Sequence, residues 1–157
     1  MPNFTQGNIF NTAPDVVKVI TTNGCITNDN KLVMGRGAAL EATQRYTGIA
    51  RIAADRIKTA PHLQVTVGTV MCNIYNYYIA HIPMFNLMLF QVKYHWKQPA
   101  NLDLIHASVW AFTQYAESHS DIQFALNYPG IGNGNLAKEL VAPYLTLLPN
   151  NVTIYEL

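Results

Sequence analysis

The chain has no basic run, no paired-cysteine motif and no apolar stretch long enough to span a bilayer, and each absence removes a class of function. Ten Lys and Arg are dispersed against nine Asp and Glu, for a net charge of +1, so the electrostatic footprint of a non-specific nucleic-acid binder is missing. Charged residues make up only 12% of the chain and hydrophobic residues 50%, which excludes a disordered tail and points to a well-buried globule. The cysteines, Cys25 and Cys72, stand in no CxxC or Cys/His spacing. They read as reduced thiols, with no metal site and no disulfide framework. The opening MPNFTQGNIF lacks the basic-then-apolar order of a secretory leader. The most apolar stretch, IAHIPMFNLMLFQV at 79–92, is broken by His81, Pro83 and Asn86 and is too short to cross a membrane. Together these absences predict a soluble, cytoplasmic protein with no membrane partner and no cofactor. No strongly apolar surface stripe is evident, so a monomer is the default.

At 157 residues the chain fits one domain, 1–157, large enough to bury a core without staples. VVKVIT at 16–21 is β-branched and nearly continuous in apolar character, as in a central strand covered on both faces. Residues 38–58 carry alanines and spaced apolar residues interrupted by Gly48, which predicts two short helices. Three β-rich runs follow, VTVGTVMC, IYNYYIAHI and NLMLFQV, and predict three strands. Asn101 or Asp103 can then cap a helix reaching about Ser118, with Leu102, Ile105, Val109, Phe112 and Ala116 on one face. The last third reads as strand IQFALNY, loop PGIGNGN, helix LAKELVAPYLTLL ended or kinked by Pro143, and strand VTIYEL. This alternation predicts an α/β domain.

Two strands each run into a glycine-rich loop: VVKVIT into TNGCITNDNKLVMGRG, and IQFALNY into PGIGNGN. Glycine permits positive φ and close backbone approach, so successive N–H groups can form an anion-binding nest, with a following helix N-terminus adding donors. If the two strands are parallel neighbours, both loops open on one crevice, and two cradles suit a diphosphate. Backbone donors also let a nearly neutral chain hold an anion. The alternative is that both loops are merely turns that need glycine. A P-loop is absent, and Gly35-Arg36-Gly37 lacks the third glycine of a dinucleotide fingerprint.

VITTNG followed by VMGRGAAL, together with YPGIGNGNL, resembles the two ligand loops of the macro-domain family, and the similarity runs from GNIF at Gly7 to the final strand. The TTNG…VMGRG pattern is similar to that of phage-encoded members, which would place the protein in a host cytoplasm. The resemblance implies a three-layer α/β/α domain around a mixed sheet of about six strands, and ADP-ribose or an ADP-ribosylated substrate as partner. Its diphosphate would lie between Met34, Gly35, Arg36 and Gly37 on one side and Gly130, Ile131, Gly132, Asn133, Gly134 and Asn135 on the other. Asn23 would face the distal ribose, since a carboxamide both donates to and accepts from hydroxyls; by itself it also reads as a loop-capping Asn. Asn8 and Ile9 stand at the adenine end, where many members carry an aspartate in place of Asn8. Tyr155 can pack on adenine or in the core.

FQVKYHWKQPANLDLIHASVWAF is similar to the lysine-containing branch of the family, which includes terminal ADP-ribose glycohydrolases and antitoxins that reverse DNA ADP-ribosylation. Lys93 takes the place of that lysine, and with Asn23 it forms the catalytic pair this resemblance implies. The acid that some glycohydrolases carry after GxGL is absent, the stretch here being Asn133-Gly134-Asn135-Leu136-Ala137. The antitoxin-like members lack it too. Three activities stay open: hydrolysis of an ADP-ribosyl linkage, non-catalytic ADP-ribose reading, and ADP-ribose 1″-phosphate phosphatase action. His95 reads as structural, and His81, His106 and His119 have no metal-ligand spacing.

Overall fold

The computed structural model describes residues 1–66 and 71–157. Its main sheet has six strands. These are β1 (Asn3–Gln6), β2 (Val17–Thr22), β6 (Ile79–Ile82), β7 (Leu87–Gln91), β8 (Phe124–Asn127) and β9 (Val152–Glu156), in the order β1-β9-β8-β2-β7-β6. All neighbours are parallel except β6 on β7, so the sheet is mixed, as expected. β2 lies inside it. Val17 and Val19 enter one apolar cluster and Ile20 the other, because alternate side chains on a strand point to opposite faces.

Each face is closed by two helices, which gives the three-layer architecture. α3 (Leu102–Glu117) and α4 (Lys138–Leu145) bury Ile105, Val109, Phe112, Val141 and Leu145 against one face. α1 (Gly37–Arg45) and α2 (Ile49–Ile57) bury Ala42, Ile49, Ala53 and Ile57 against the other. Gly48 separates α1 from α2 in the left-handed region, φ +79°. Asn101 caps α3 by accepting the Leu104 N–H at 3.0 Å. Pro143 lies within α4, where it cannot donate to the helix, and α4 ends two residues later. Among the described residues no helix is long and apolar enough to cross a membrane, and 79–92 holds β6, a 3-10 turn and β7.

A second, three-stranded antiparallel sheet of β3 (Cys25–Thr27), β5 (Cys72–Asn76) and β4 (Gln64–Thr66) was not expected. Of the expected strand VTVGTVMC, residues 67–70 lie outside the described residues; its two ends belong to β4 and β5. IYNYYIAHI is also two strands, β5 in the small sheet and β6 in the main one. The chain turns at Tyr78, which has φ +60°, a conformation unfavourable for a bulky residue. Fully buried Gln91 holds that turn. Its carbonyl accepts the Tyr77 and Tyr78 N–H groups at 2.9 and 3.2 Å, and its amide donates to the Tyr75 and Lys93 carbonyls at 2.9 and 3.3 Å. Each partner left unpaired in such a buried place costs about 1–3 kcal/mol, so the glutamine fixes a turn that no turn-forming residue marks.

Cys25 and Cys72 lie on the paired strands β3 and β5, both buried and not disulfide-bonded. Burial, reinforced by the adjacent Cys72, pushes the Cys25 thiol up to about 12. The thiol is therefore protonated at neutral pH.

Candidate functional site

β2 and β8 are parallel neighbours, with Val17 opposite Phe124 and Val19 opposite Leu126. Their carboxyl ends therefore open at the same edge of the sheet, and a cleft of about 820 Å³ lies there, within the usual range for small-molecule sites. Thr21, Thr22 and Asn23 enter it from the end of β2, and Asn127 and Tyr128 from the end of β8.

The first glycine loop brings Met34, Gly35, Arg36 and Gly37 to the wall, continuous with the N-terminus of α1. Arg36 occupies the N-cap position in an extended conformation, and no side chain caps the helix. Among the described residues, the N–H groups of 34–39 donate to no other protein group. A row of uncapped donors at the positive end of a helix dipole is suited to an anion. The second loop brings Gly130, Ile131, Gly132, Asn133 and Gly134 to the opposite wall, and the N–H groups of 130–133 are likewise undonated among the described residues. Gly132, at φ +64°, opens a 3-10 turn over Gly132–Gly134. A Cβ on Gly37 would stand 3.3 Å from Asn133 Nδ2, so the two loops face each other at close range.

Two expectations for the second loop need correction. Asn135 does not line the main cleft. It is the left-handed residue that ends the 3-10 turn and lies in an adjoining recess of about 180 Å³ with Arg36, Lys93 and Lys97. The helix after this loop begins only at Lys138, so the N-terminus of α4 adds no donor to the cradle. The chain needs the 3-10 turn to bring Leu136 N–H back to the Gly130 carbonyl at 2.9 Å before α4 can start.

Asn23 lines the cleft and also ties its own loop together. Its Oδ1 accepts the Cys25 N–H at 2.9 Å and its Nδ2 donates to the Val33 carbonyl at 3.0 Å, tying the strand end to the first loop. One amide hydrogen and one lone pair remain for a ligand. Beneath it, fully buried Tyr77 donates its hydroxyl to the Asn23 carbonyl at 2.7 Å and pairs with the Thr22 hydroxyl. Burial pushes the Tyr77 phenol up, so it stays a neutral donor. Tyr77 stands in the run IYNYYIAHI, which by itself predicts only a strand; its role as a prop for Asn23 depends on the turn at Tyr78.

Lys93 is half-buried at one end of the cleft, its Nζ 3.5 Å from the Asn133 carbonyl and its neighbour Trp96 on the same wall. Burial, and then the Arg36 guanidinium, lower its pKa. Asn8 and Ile9 line the cleft together with Tyr155. Tyr155 also packs against the buried cluster beneath α1 and α2, and a Cβ on Gly7 would meet its ring at 3.6 Å. Asn8 Oδ1 is already used, accepting the Phe10 N–H at 2.9 Å, while its amide donates to the Glu41 carboxylate at 3.1 and 3.2 Å. Glu41, on α1 and paired with Arg45 at 2.8 Å, lines the same wall. It puts a carboxylate beside Asn8 on the cleft wall. Only the contact between α1 and the 8–10 turn reveals this, and no local pattern along the chain announces it.

No family model matches the chain, and no curated protein matches it in sequence. Solved structures do. The macrodomain of Mycobacterium tuberculosis DarG is 23% identical at TM-score 0.66, over 100% of this chain and 98% of that one. The macrodomain of Thermus aquaticus DarG is 20% identical at TM-score 0.66, over 99% and 96%. Thermosipho africanus DarTG, solved in complex with ADP-ribose, is 19% identical at TM-score 0.63, over 98% of this chain and 41% of that one. The α/β/α architecture of this chain is therefore the macrodomain fold.

Proposed function

We propose that the cleft binds ADP-ribose and that the protein hydrolyses an ADP-ribosyl linkage on a macromolecule or metabolite. The observation that carries the binding half is the pair of opposed loops whose N–H groups at 34–39 and 130–133 have no protein acceptor among the described residues. A diphosphate laid between them satisfies both rows at once, with charge-assisted bonds of roughly 1.5–3 kcal/mol each. The ligand's ends follow from the side chains at the ends of the cleft. Adenine lies by Ile9, Tyr155 and the Asn8–Glu41 pair, and the distal ribose by Asn23, Asn133 and Lys93. The structure of DarTG in complex with ADP-ribose supports the choice of nucleotide.

Lys93 favours hydrolysis over passive reading because it puts a primary amine at the end of the cleft assigned to the distal ribose. Its nitrogen forms a bond to that carbon as the glycosidic bond breaks, the leaving group takes a proton from solvent, and water then releases ADP-ribose and restores the amine. The carboxylates on the cleft wall are already engaged, Glu41 with Arg45 and Asn8 and Glu156 with Lys138. Proton transfer therefore falls to water and to Lys93 itself. The reader function is the second reading, favoured by this lack of a free acid.

Calorimetric titration with ADP-ribose tests binding. Chromatography after incubation with ADP-ribosylated DNA, ADP-ribosylated protein and ADP-ribose 1″-phosphate tests cleavage. Release of ADP-ribose from one of the two macromolecular substrates is expected. Phosphate release alone would make the protein a phosphatase, and absence of binding would remove the whole reading.

At the adenine end, Glu41→Ala is expected to weaken ADP-ribose binding about tenfold, the loss of one partly screened charge-assisted bond. The same variant should lose preference for the adenine over the hypoxanthine form of the ligand, as measured by competition. A variant that still discriminates the two bases as well as the native chain would remove Glu41 from adenine recognition.

A further inference from the structure

Cys25, Cys72 and His95 are far apart in sequence and none lines the cleft, yet their ligand atoms all lie within 4.8 Å of one another. β3 and β5 pair so that Cys25 faces Ile74 and Cys72 faces Thr27. The two cysteines are therefore diagonal neighbours on one face of the small sheet. The segment carrying His95 is docked on β3, with Gly24 N–H donating to the Tyr94 carbonyl at 2.9 Å. The His95 N–H donates to Gln98 Oε1 at 3.3 Å, and its ring stacks on Trp96 at 5.8 Å. Both sulfurs are buried and the imidazole is half-buried, so the ring forms the solvent side of the cluster.

We infer that these three side chains form a binding site for a thiophilic divalent cation of the zinc class. Two sulfurs and one imidazole are the donor set such ions take over magnesium, calcium or manganese. Tetrahedral geometry asks for sulfurs about 3.8 Å apart and a nitrogen about 3.6 Å from each, so the side chains need shift by no more than about 1 Å. Loading releases the two thiol protons as two thiolate–metal bonds form. Three protein ligands leave a fourth position, which water takes on the His95 side. The ion would brace β3, two residues beyond Asn23, to the segment that carries Lys93 and Trp96. The site stands independently of what the cleft binds.

One hydrogen bond supplies a local reporter. His95 Nδ1 accepts the Lys97 N–H at 3.1 Å. If Nδ1 takes the metal, its lone pair is spent; if the other ring nitrogen does, Nδ1 acquires the proton. On either route Lys97 N–H loses its acceptor.

The test uses the full, reduced chain titrated with cobalt(II) as an optical probe, then with zinc. The expected result is a thiolate-to-cobalt absorption saturating at one ion per chain and displaced by zinc, with the Lys97 amide resonance shifting on zinc addition. The absorption should be absent in Cys25→Ser and Cys72→Ser, and His95→Ala should weaken cobalt at least about tenfold. A folded native chain that shows no thiolate band overturns the site, and this result needs no variant to fold. A band unaffected by His95→Ala, with an unmoved Lys97 amide, overturns it as well.

Discussion

Gly35→Glu is expected to abolish ADP-ribose binding, weakening it by at least about 100-fold, while leaving the melting temperature close to that of the native chain. Gly35 lines the first loop, and a Cβ built on it meets nothing within 4 Å. Its backbone does not adopt a positive φ, so a side chain there costs the fold little. The carboxylate would stand in the space assigned to the diphosphate, removing room and adding like-charge repulsion; a 100-fold loss corresponds to about 2.7 kcal/mol. Other glycines give less readable tests. Gly132 has the same open surroundings but φ +64°, so a substitution there mixes backbone strain with any effect on the ligand. A Cβ on Gly24 would come within 2.1 Å of the Tyr75 carbonyl and damage the fold itself. Gly35→Ala serves as the control, expected to bind within a few-fold of the native chain. Calorimetry on Gly35→Glu at native affinity, with an unchanged melting curve, would place the ligand elsewhere.

Much of the main sheet was legible because its signals are local. VVKVIT is apolar on both faces, and both clusters take residues from it; Gly48 and Asn101 mark helix boundaries by chemistry that acts within a turn or two. The pairing of the two glycine loops could be read one step further, since parallel neighbouring strands put both loops at one edge. What escaped is non-local. β1 is exposed along its whole length, so NFTQ offers no alternation of buried and exposed residues, and its pairing with β9 defines it. The small sheet depends on a left-handed Tyr78 held by Gln91, which lies beyond the intervening strand. Glu41 sits on a helix legible only from its alanines and spaced apolar residues, and only its contact with Asn8 brings it to the cleft wall. Cys25, Cys72 and His95 come from three segments whose spacing along the chain matches no ligand motif, so their proximity is a product of the fold. Asn135 shows the reverse case: a residue inside a glycine motif that the 3-10 turn carries past the main cleft.

Lys93→Ala is expected to separate recognition from chemistry, with ADP-ribose affinity staying within a few-fold and release of ADP-ribose from the modified substrate falling by at least about 10³-fold. The small effect on affinity follows from the location of the binding donors, which are backbone N–H groups of two loops that Lys93 does not supply. The side chain's contact with the Asn133 carbonyl is a long one, 3.5 Å, so its loss leaves the second loop supported by its own turn. The large effect on turnover follows if the amine forms the bond to the anomeric carbon, because a nucleophile cannot be replaced by its surroundings. Charge alone would give a different pattern. Lys93→Arg keeps the cation but supplies no nucleophilic amine, so the nucleophile reading requires Arg to be as inactive as Ala, whereas electrostatic stabilisation requires Arg to retain much of the rate. Borohydride treatment during turnover gives a third readout: if the lysine–ribose adduct opens its ring, the C1–O bond breaking and the ring oxygen taking the amine proton, the resulting imine is reduced to a secondary amine that leaves a stable mass increase on the peptide containing Lys93. Native turnover by Lys93→Ala would exclude the amine from the reaction. A native chain that binds ADP-ribose tightly and releases none from any modified substrate would instead be a reader, with Lys93 acting as a cation at the rim of the site.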